Sequence, residues 1–302
     1  MQKMKLAIPD KVSNSYFPAI AAIELGCFAD EGLDVSLELI FPPNKSYEAM
    51  RDGAIDIVAA SAHPALAAYP NFEGVKLVCA QAQGMYWFLV LKRQIGAKRG
   101  DVAAVKGCRI GAAPWVELGL KRLLKAAGLD EARDDIRIGP VPKSPVKGPN
   151  FGLSAVQALA DGVVDGFWAN GMAAEVAVRE GLGDVVLDIR RGDGPEGCFG
   201  YTFASVALPD RLIAADHEMP AKVTRAIRRA QLALIEDPER ATAIGRRLFP
   251  PAEAELIAGL IRRDFPYYDT AIRPQTVASL LAFSRDMGLI DRDLAYHQVV
   301  AA

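Results

Sequence analysis

Apolar and polar positions follow two alternating periods through about residue 206. Short apolar runs are separated by stretches whose apolar residues recur every three to four positions, as strands alternating with amphipathic helices require. Strands are expected over residues 4–8, 35–41, 55–60, 75–81, 87–92, 108–112, 136–141, 164–168, 185–188 and 201–207. Helices are expected over 18–28, 47–51, 64–69, 117–127, 153–161 and 171–180. Pro near helix starts and Gly near helix ends support these boundaries. From residue 210 on the period is helical, with helices expected over 221–235, 238–248, 252–265 and 274–287. The pattern is that of an α/β body followed by a helical C-terminal tail.

One stretch of this pattern occurs twice. Ala49-Met50-Arg51-Asp52-Gly53-Ala54-Ile55-Asp56 is matched by Ala158-Leu159-Ala160-Asp161-Gly162-Val163-Val164-Asp165. Each copy reads as a helix end, a Gly turn, an Asp and an apolar strand running into small polar residues, at Ser61 in one and Asn170 in the other. An apolar strand precedes each copy, over residues 5–9 and 109–114. Gly32-Leu33-Asp34 and Gly128-Leu129-Asp130 each close a helix before the next strand. Two α/β lobes of one plan are therefore expected, with a small-molecule cleft between them. The polar, Lys-rich segment 94–106 follows the crossover strand, and strand 201–207 returns to the first lobe. The expected domains are 1–88 with 202–302 as lobe 1 and 89–201 as lobe 2, hinged near 84–92 and 199–204.

Composition narrows the function classes. A net charge of −2 with scattered basic residues gives no sign of a nucleic-acid partner. No apolar run is long enough to span or insert into a membrane. Lys3 and Lys5 lead directly into a strand without an apolar leader. The expected compartment is the periplasm if a leader has been removed, and the cytoplasm if Met1 is the native start. Cys27, Cys79, Cys108 and Cys198 lack metal-ligand spacing and read as buried thiols. The three histidines are scattered, so neither metal nor cofactor is expected. His217 and His297 read as surface residues of the tail. Phosphate-loop, nucleophile-elbow and zinc-protease motifs do not occur. The segment 140–152, with Pro140, Pro142, Pro145 and Pro149, reads as a long loop. A monomer is the simplest expectation.

Three segments then suggest a family. Residues 18–35, residues 50–60 and Val105-Lys106-Gly107-Cys108-Arg109-Ile110-Gly111 are similar, in order, to segments of type II periplasmic substrate-binding proteins of ABC transporters. The resemblance covers nearly the whole chain and is nearest the branch for nitrate, taurine, alkanesulfonates and thiamine-type pyrimidines. It implies a periplasmic-binding-protein type II clamshell that binds a small solute and meets an ABC permease. The same fold also serves aromatic sulfinate desulfinases, pyrimidine synthases and decarboxylases, so the fold does not by itself choose the function.

Ligands of open α/β sheets sit beyond the carboxyl ends of the strands. In lobe 1 that rule singles out Asn14, Ser15 and Tyr16 after the first strand, and Ser61 and His63 after the third. Ser13 or Ser15 also suits an N-cap, and capping and ligand contact can coexist. Lys45, after the second strand, suits either solvent or an anionic ligand. Tyr86 and Trp87 stand at the crossover, as ligand wall or hinge core. In lobe 2 the rule singles out Trp115, Trp168 and Asn170, with Asn150, Phe151 and Phe199 on adjoining loops. The three tryptophans suit clamping of a flat ring, and helix N-termini supply positive potential. The expected ligand is a flat, anionic organic molecule: an aromatic or heterocyclic acid, a sulfonate or a pyrimidine. The alternative is a cytosolic enzyme on this fold, a hydrolase or lyase with Ser15 as nucleophile and His63 as base. A ligand-sensing regulatory domain is the third reading. The desulfinases carry a nucleophilic Cys where the resemblance places Ser15, which argues against desulfination.

Overall fold

The computed structural model describes residues 1–141 and 150–301. Most of the expected proline-rich loop, residues 142–149, lies outside the described residues. The strands are β1 (Gln2–Ile8), β2 (Leu33–Leu39), β3 (Ile57–Ser61), β4 (Val75–Ala82), β5 (Phe88–Lys92), β6 (Arg109–Ala112), β7 (Arg137–Gly139), β8 (Gly166–Ala169), β9 (Gly183–Asp188) and β10 (Ala204–Pro209). The helices through the second sheet are α1 (Phe17–Glu24), α2 (Pro43–Arg51), α3 (Glu117–Ala126), α4 (Phe151–Ala160) and α5 (Gly171–Arg179). The tail holds α6 (Asp210–Ala215), α7 (Met219–Glu236), α8 (Glu239–Leu248), α9 (Pro251–Asp264), α10 (Pro274–Asp286) and α11 (Tyr296–Val299).

The chain divides into two compact units, Met1–Gly84 with Thr202–Ala302, and Met85–Tyr201. The first has strand order β2-β1-β3-β10-β4, the second β7-β6-β8-β5-β9. In the first, β1 pairs in parallel with β2 and β3, while β10 runs antiparallel to β3 and β4. In the second, β6 pairs in parallel with β7 and β8, while β5 runs antiparallel to β8 and β9. The two plans are therefore the same. The fourth strand of each is the one the chain lays down just after crossing from the other unit. Central β3 and β8 are buried along their whole length, whereas edge strand β2 starts with a buried–exposed alternation. Full burial on both faces accounts for the unbroken apolar runs of the central strands.

The sequence repeat has a local physical cause. In one copy Gly53 N–H bonds Met50 O and Ala54 N–H bonds Ala49 O. In the other, Gly162 N–H bonds Leu159 O and Val163 N–H bonds Ala158 O. Each pair satisfies the last carbonyls of a helix, α2 or α4, and each needs a left-handed residue at the turn. Gly53 (φ +82°) and Gly162 (φ +71°) supply it. The Asp that follows then latches the neighbouring parallel strand. Asp56 accepts Lys5 N–H at 2.9 Å, and Asp165 accepts Arg109 N–H at 2.9 Å. The repeated motif thus fixes how a helix hands over to a central strand.

In the first unit, the core joins Tyr47, Phe72, Leu77, Phe203 and Leu280. The tail helices α6 to α11 belong to this unit, with α7 packed on β4 and α1. The second core joins Phe88, Val90, Leu159 and Phe167. Two expected helices are shorter than the periodicity suggests. α1 stops at Glu24, where Leu25 leaves helical geometry and Gly26 takes φ +73°. The segment after β3 is a 3-10 turn, His63–Ala67, rather than an α-helix.

Candidate functional site

At the carboxyl end of β1 the chain enters a buried polar turn. Asp10 accepts Val12 N–H at 2.9 Å, and Tyr16 N–H bonds Ser13 O at 3.1 Å, closing the 3-10 turn Asn14–Tyr16 ahead of α1. Ser13 makes no side-chain capping bond, and Tyr16, the N-cap of α1, makes none either. The capping role weighed for Ser13 is therefore absent: the turn closes through backbone groups, with Pro18 in the first turn of α1. The carboxyl end of β3 lies beside this turn in the parallel sheet and ends at Ser61. There Tyr47 donates its phenolic hydrogen to Ser61 O at 2.9 Å. Burial raises the Tyr47 pKa well above the ordinary phenol range, so it stays a donor.

Among the described residues, three side-chain oxygens at these strand ends have no hydrogen-bond partner: Ser13 Oγ, Asn14 Oδ1 and Ser61 Oγ. Their residues are 0%, 2% and 0% exposed. A buried polar atom left unmatched costs about 1–3 kcal/mol, and three at one rim call for a reason. The surrounding polar groups are matched. Asn14 Nδ2 donates to the carboxylate of Asp264, the last residue of α9. His63 is fully buried, its Nδ1 lies 3.0 Å from Thr202 Oγ1, and its ring meets Phe283 edge-on at 5.4 Å. Gln81 accepts Ala19 N–H at 3.3 Å and donates to Ser205 O at 3.0 Å, tying α1 to the sheet.

Repeat-equivalent positions behave differently in the two units. Asn170 occupies the place of Ser61, and its Oδ1 accepts Ala173 N–H at 3.1 Å as the N-cap of α5. Asn150 likewise caps α4 through Leu153 N–H at 3.2 Å. The second unit uses these amides to cap its helices; the first leaves the hydroxyl of Ser61 unmatched.

Of the aromatic candidates in the second unit, Tyr86, Trp87 and Trp168 are buried. Trp168 is fully buried, donates Nε1–H to Val116 O at 3.2 Å, and lies 6.0 Å from Trp87 between ring centroids. Trp87 in turn packs over Gly119, where any Cβ would meet Met85 Sδ at 2.9 Å and Trp87 Cζ3 at 3.0 Å. Tyr86 is buried beneath the Arg190 guanidinium, 5.3 Å from its ring centroid. Trp115 is only partly buried and holds φ +71° between β6 and α3. Phe151 is partly buried and Phe199 is exposed. Glu117 opens α3, its Oε2 is buried without a partner among the described residues, and burial raises its carboxyl pKa. Lys45 lies on α2, largely exposed, and pairs with Glu48 at 2.5 Å.

Sequence reasoning named Ser13 with the hydroxyls at the end of the first strand, chiefly as a cap, and did not select Thr202 or Asp264. Ser13 follows the first strand and was legible by the strand-end rule. Asp264 sits in a helical stretch 250 residues from Asn14, and no local pattern marks it. Among the described residues, no group of three or more His, Cys, Asp or Glu could hold a metal ion. The four cysteines are buried free thiols, and burial pushes Cys79 up to about 12 and Cys198 up to about 11. No described helix is long and apolar enough to cross a membrane.

Two sheets of one strand order, with a helical C-terminal region on the first, define the fold of type II periplasmic substrate-binding proteins of ABC transporters. The chain belongs to the NMT1/THI5-like family, whose family model matches residues 13–241. Among solved structures, the alkanesulfonate-binding protein SsuA of Xanthomonas axonopodis pv. citri, bound to MOPS, is similar at 16% identity and TM-score 0.71, covering 100% of this chain and 96% of that one. The periplasmic nitrate-binding protein NrtA of Synechocystis PCC 6803 is similar at 13% identity and TM-score 0.75, covering 96% and 82%. A DszB variant in complex with biphenyl-2-sulfinic acid is similar at 15% identity and TM-score 0.63, covering 100% and 97%. At these identities the likeness concerns the fold. Comparison with curated proteins gives no match.

Proposed function

We propose that this protein is the solute-binding component of an ABC importer and that it binds a small, flat organic solute. The polar edge of that solute sits at the carboxyl ends of β1 and β3. The observation that carries this reading is the set of buried, unmatched oxygens of Ser13, Asn14 and Ser61 in a chain of the NMT1/THI5-like family. Each hydroxyl can turn to donate to an oxygen of the solute, and Asn14 Oδ1 can accept from it. His63, two residues beyond Ser61, is held in place by Thr202 and Phe283.

Candidate solutes are aromatic or heterocyclic acids, sulfonates and pyrimidine-like rings. The sulfonate and nitrate binders among the similar structures support an oxygen-rich head group. In this reading the solute leaves chemically unchanged and the loaded protein meets a permease. A thermal-shift screen of the three solute classes tests it, followed by mass analysis of the recovered compound. Stabilisation by one class with the compound recovered intact is the expected result. Conversion of the compound would replace the binder by an enzyme.

A further inference from the structure

We infer that Asp264 is a positioning residue that locks the Asn14 amide with its oxygen facing the solute, so that the rim selects solutes presenting an N–H or O–H donor. This deepens the proposed function and rests on it. Asn and Gln amides are chemically two-sided, and their partners decide which end faces where. Here the partner is a carboxylate. Asp264 is 1% exposed and Asn14 is 2% exposed, and the bond runs from Asn14 Nδ2 to Asp264 Oδ2. A turned amide would set two oxygens against each other in a buried site, so the NH2 end stays on Asp264. Oδ1 is then the group left over, and it has no partner among the described residues.

An acceptor fixed in this way is satisfied only by a donor. Ser13 and Ser61 add hydroxyls that can rotate to donate, so the rim as a whole fits an edge with a donor beside an acceptor. A solute with only oxygen acceptors pairs with the hydroxyls and leaves Asn14 Oδ1 stranded. Sites built to bond a donor reject analogues that lack it more strongly than apolar pockets reject a missing methylene. The donor requirement is a separate condition from charge on the solute. Among the proposed classes it favours N–H heterocycles and their acids over plain sulfonates.

Two pairs of ring compounds differing in one atom test this. Pyrrole-2-carboxylate has an N–H where furan-2-carboxylate has an oxygen, and 2-pyridone relates to 2-pyranone in the same way. Dissociation constants are measured by calorimetry or ligand-observed NMR at up to about 10 mM, where a weak fragment is still detectable. The N–H member of at least one pair should bind the wild-type protein about tenfold or more tightly than its partner. In Asp264→Asn either end of the Asn14 amide can face the solute, so that ratio should fall to near one or invert. Asn14→Ala should also remove the preference, and it guards against a misfolded Asp264→Asn. Equal or tighter binding of the oxygen member by wild type overturns the inference and leaves solute binding standing. A ratio unchanged in Asn14→Ala or in a folded Asp264→Asn overturns it as well. Absence of binding by all four compounds overturns both the donor requirement and the rim as a site for small flat rings.

Discussion

Substituting Ala at the two repeat-equivalent positions, Ser61 and Asn170, should move stability in opposite directions. Ser61 is fully buried and its hydroxyl is unmatched, so the solute-free protein carries a desolvation cost there. Removing the hydroxyl relieves about 1 kcal/mol, the lower end of the range for an unsatisfied buried group, because some packing is lost with the oxygen. Asn170 is also buried, but its Oδ1 caps α5 through Ala173 N–H at 3.1 Å. Losing that cap costs about 1 kcal/mol. The melting temperature of the solute-free protein should therefore rise in Ser61→Ala and fall in Asn170→Ala. Solute affinity should fall about tenfold in Ser61→Ala, the worth of one hydrogen bond to a polar solute. Differential scanning calorimetry of solute-free protein and titration calorimetry with the best solute of the screen provide the two readings. A Ser61→Ala protein that melts lower and binds as well as wild type would refute the reasoning, because its hydroxyl would then be structural.

Two carboxyls should give pH responses of opposite sign. Arg109 holds the Asp165 carboxyl down at about 2. Its contribution is therefore full above the unfolded pKa of about 4 and fades as pH falls through about 2. Arg109 is 44% exposed, so screening limits that contribution to about 1 kcal/mol. Asp165→Asn should lose it at pH 7 and flatten the acid limb of a denaturation profile. Burial raises the Glu117 pKa, so the folded form holds its proton longer and stability falls as pH rises past the unfolded pKa. Glu117→Gln should be more stable than wild type at pH 7, with the difference vanishing toward pH 3. Gly119→Ala should destabilise the second unit by about 1–3 kcal/mol, since its Cβ would meet Met85 Sδ at 2.9 Å; tryptophan fluorescence on heating reads this out. Cys79 and Cys198 should resist a thiol reagent at pH 8 until the protein is unfolded, because burial holds both as thiols.

The architecture was legible because its signals are local and repeated. The Asp-Gly-x-x-Asp stretches encode a Gly-closed helix end and an Asp latch, and both are complete within a few residues of chain plus one parallel neighbour. The same logic put Asn14 and Ser61 at strand ends, where the structure has them. Whether those groups are matched was not legible. Capping by Ser13 and by Asn170 look alike in sequence, and only the geometry shows that one side chain caps and the other does not. The tryptophans illustrate the same limit. A Trp at a strand end suits a clamp or a core, and for Trp168 the distinguishing fact is its bond to Val116 O, 52 positions away. Asp264 was beyond reach for the same reason, since it meets Asn14 from 250 positions away.

Native mass spectrometry most directly tests the claim that unmatched groups at the ends of β1 and β3 hold a small solute. Wild type and a Ser13→Ala/Ser61→Ala double variant would be purified identically and titrated with the best solute of the screen. A one-to-one, non-covalent complex of wild type, with at least about tenfold weaker loading of a folded double variant, is the predicted result. Equal loading of the two proteins, or release of a chemically altered compound, would contradict the account.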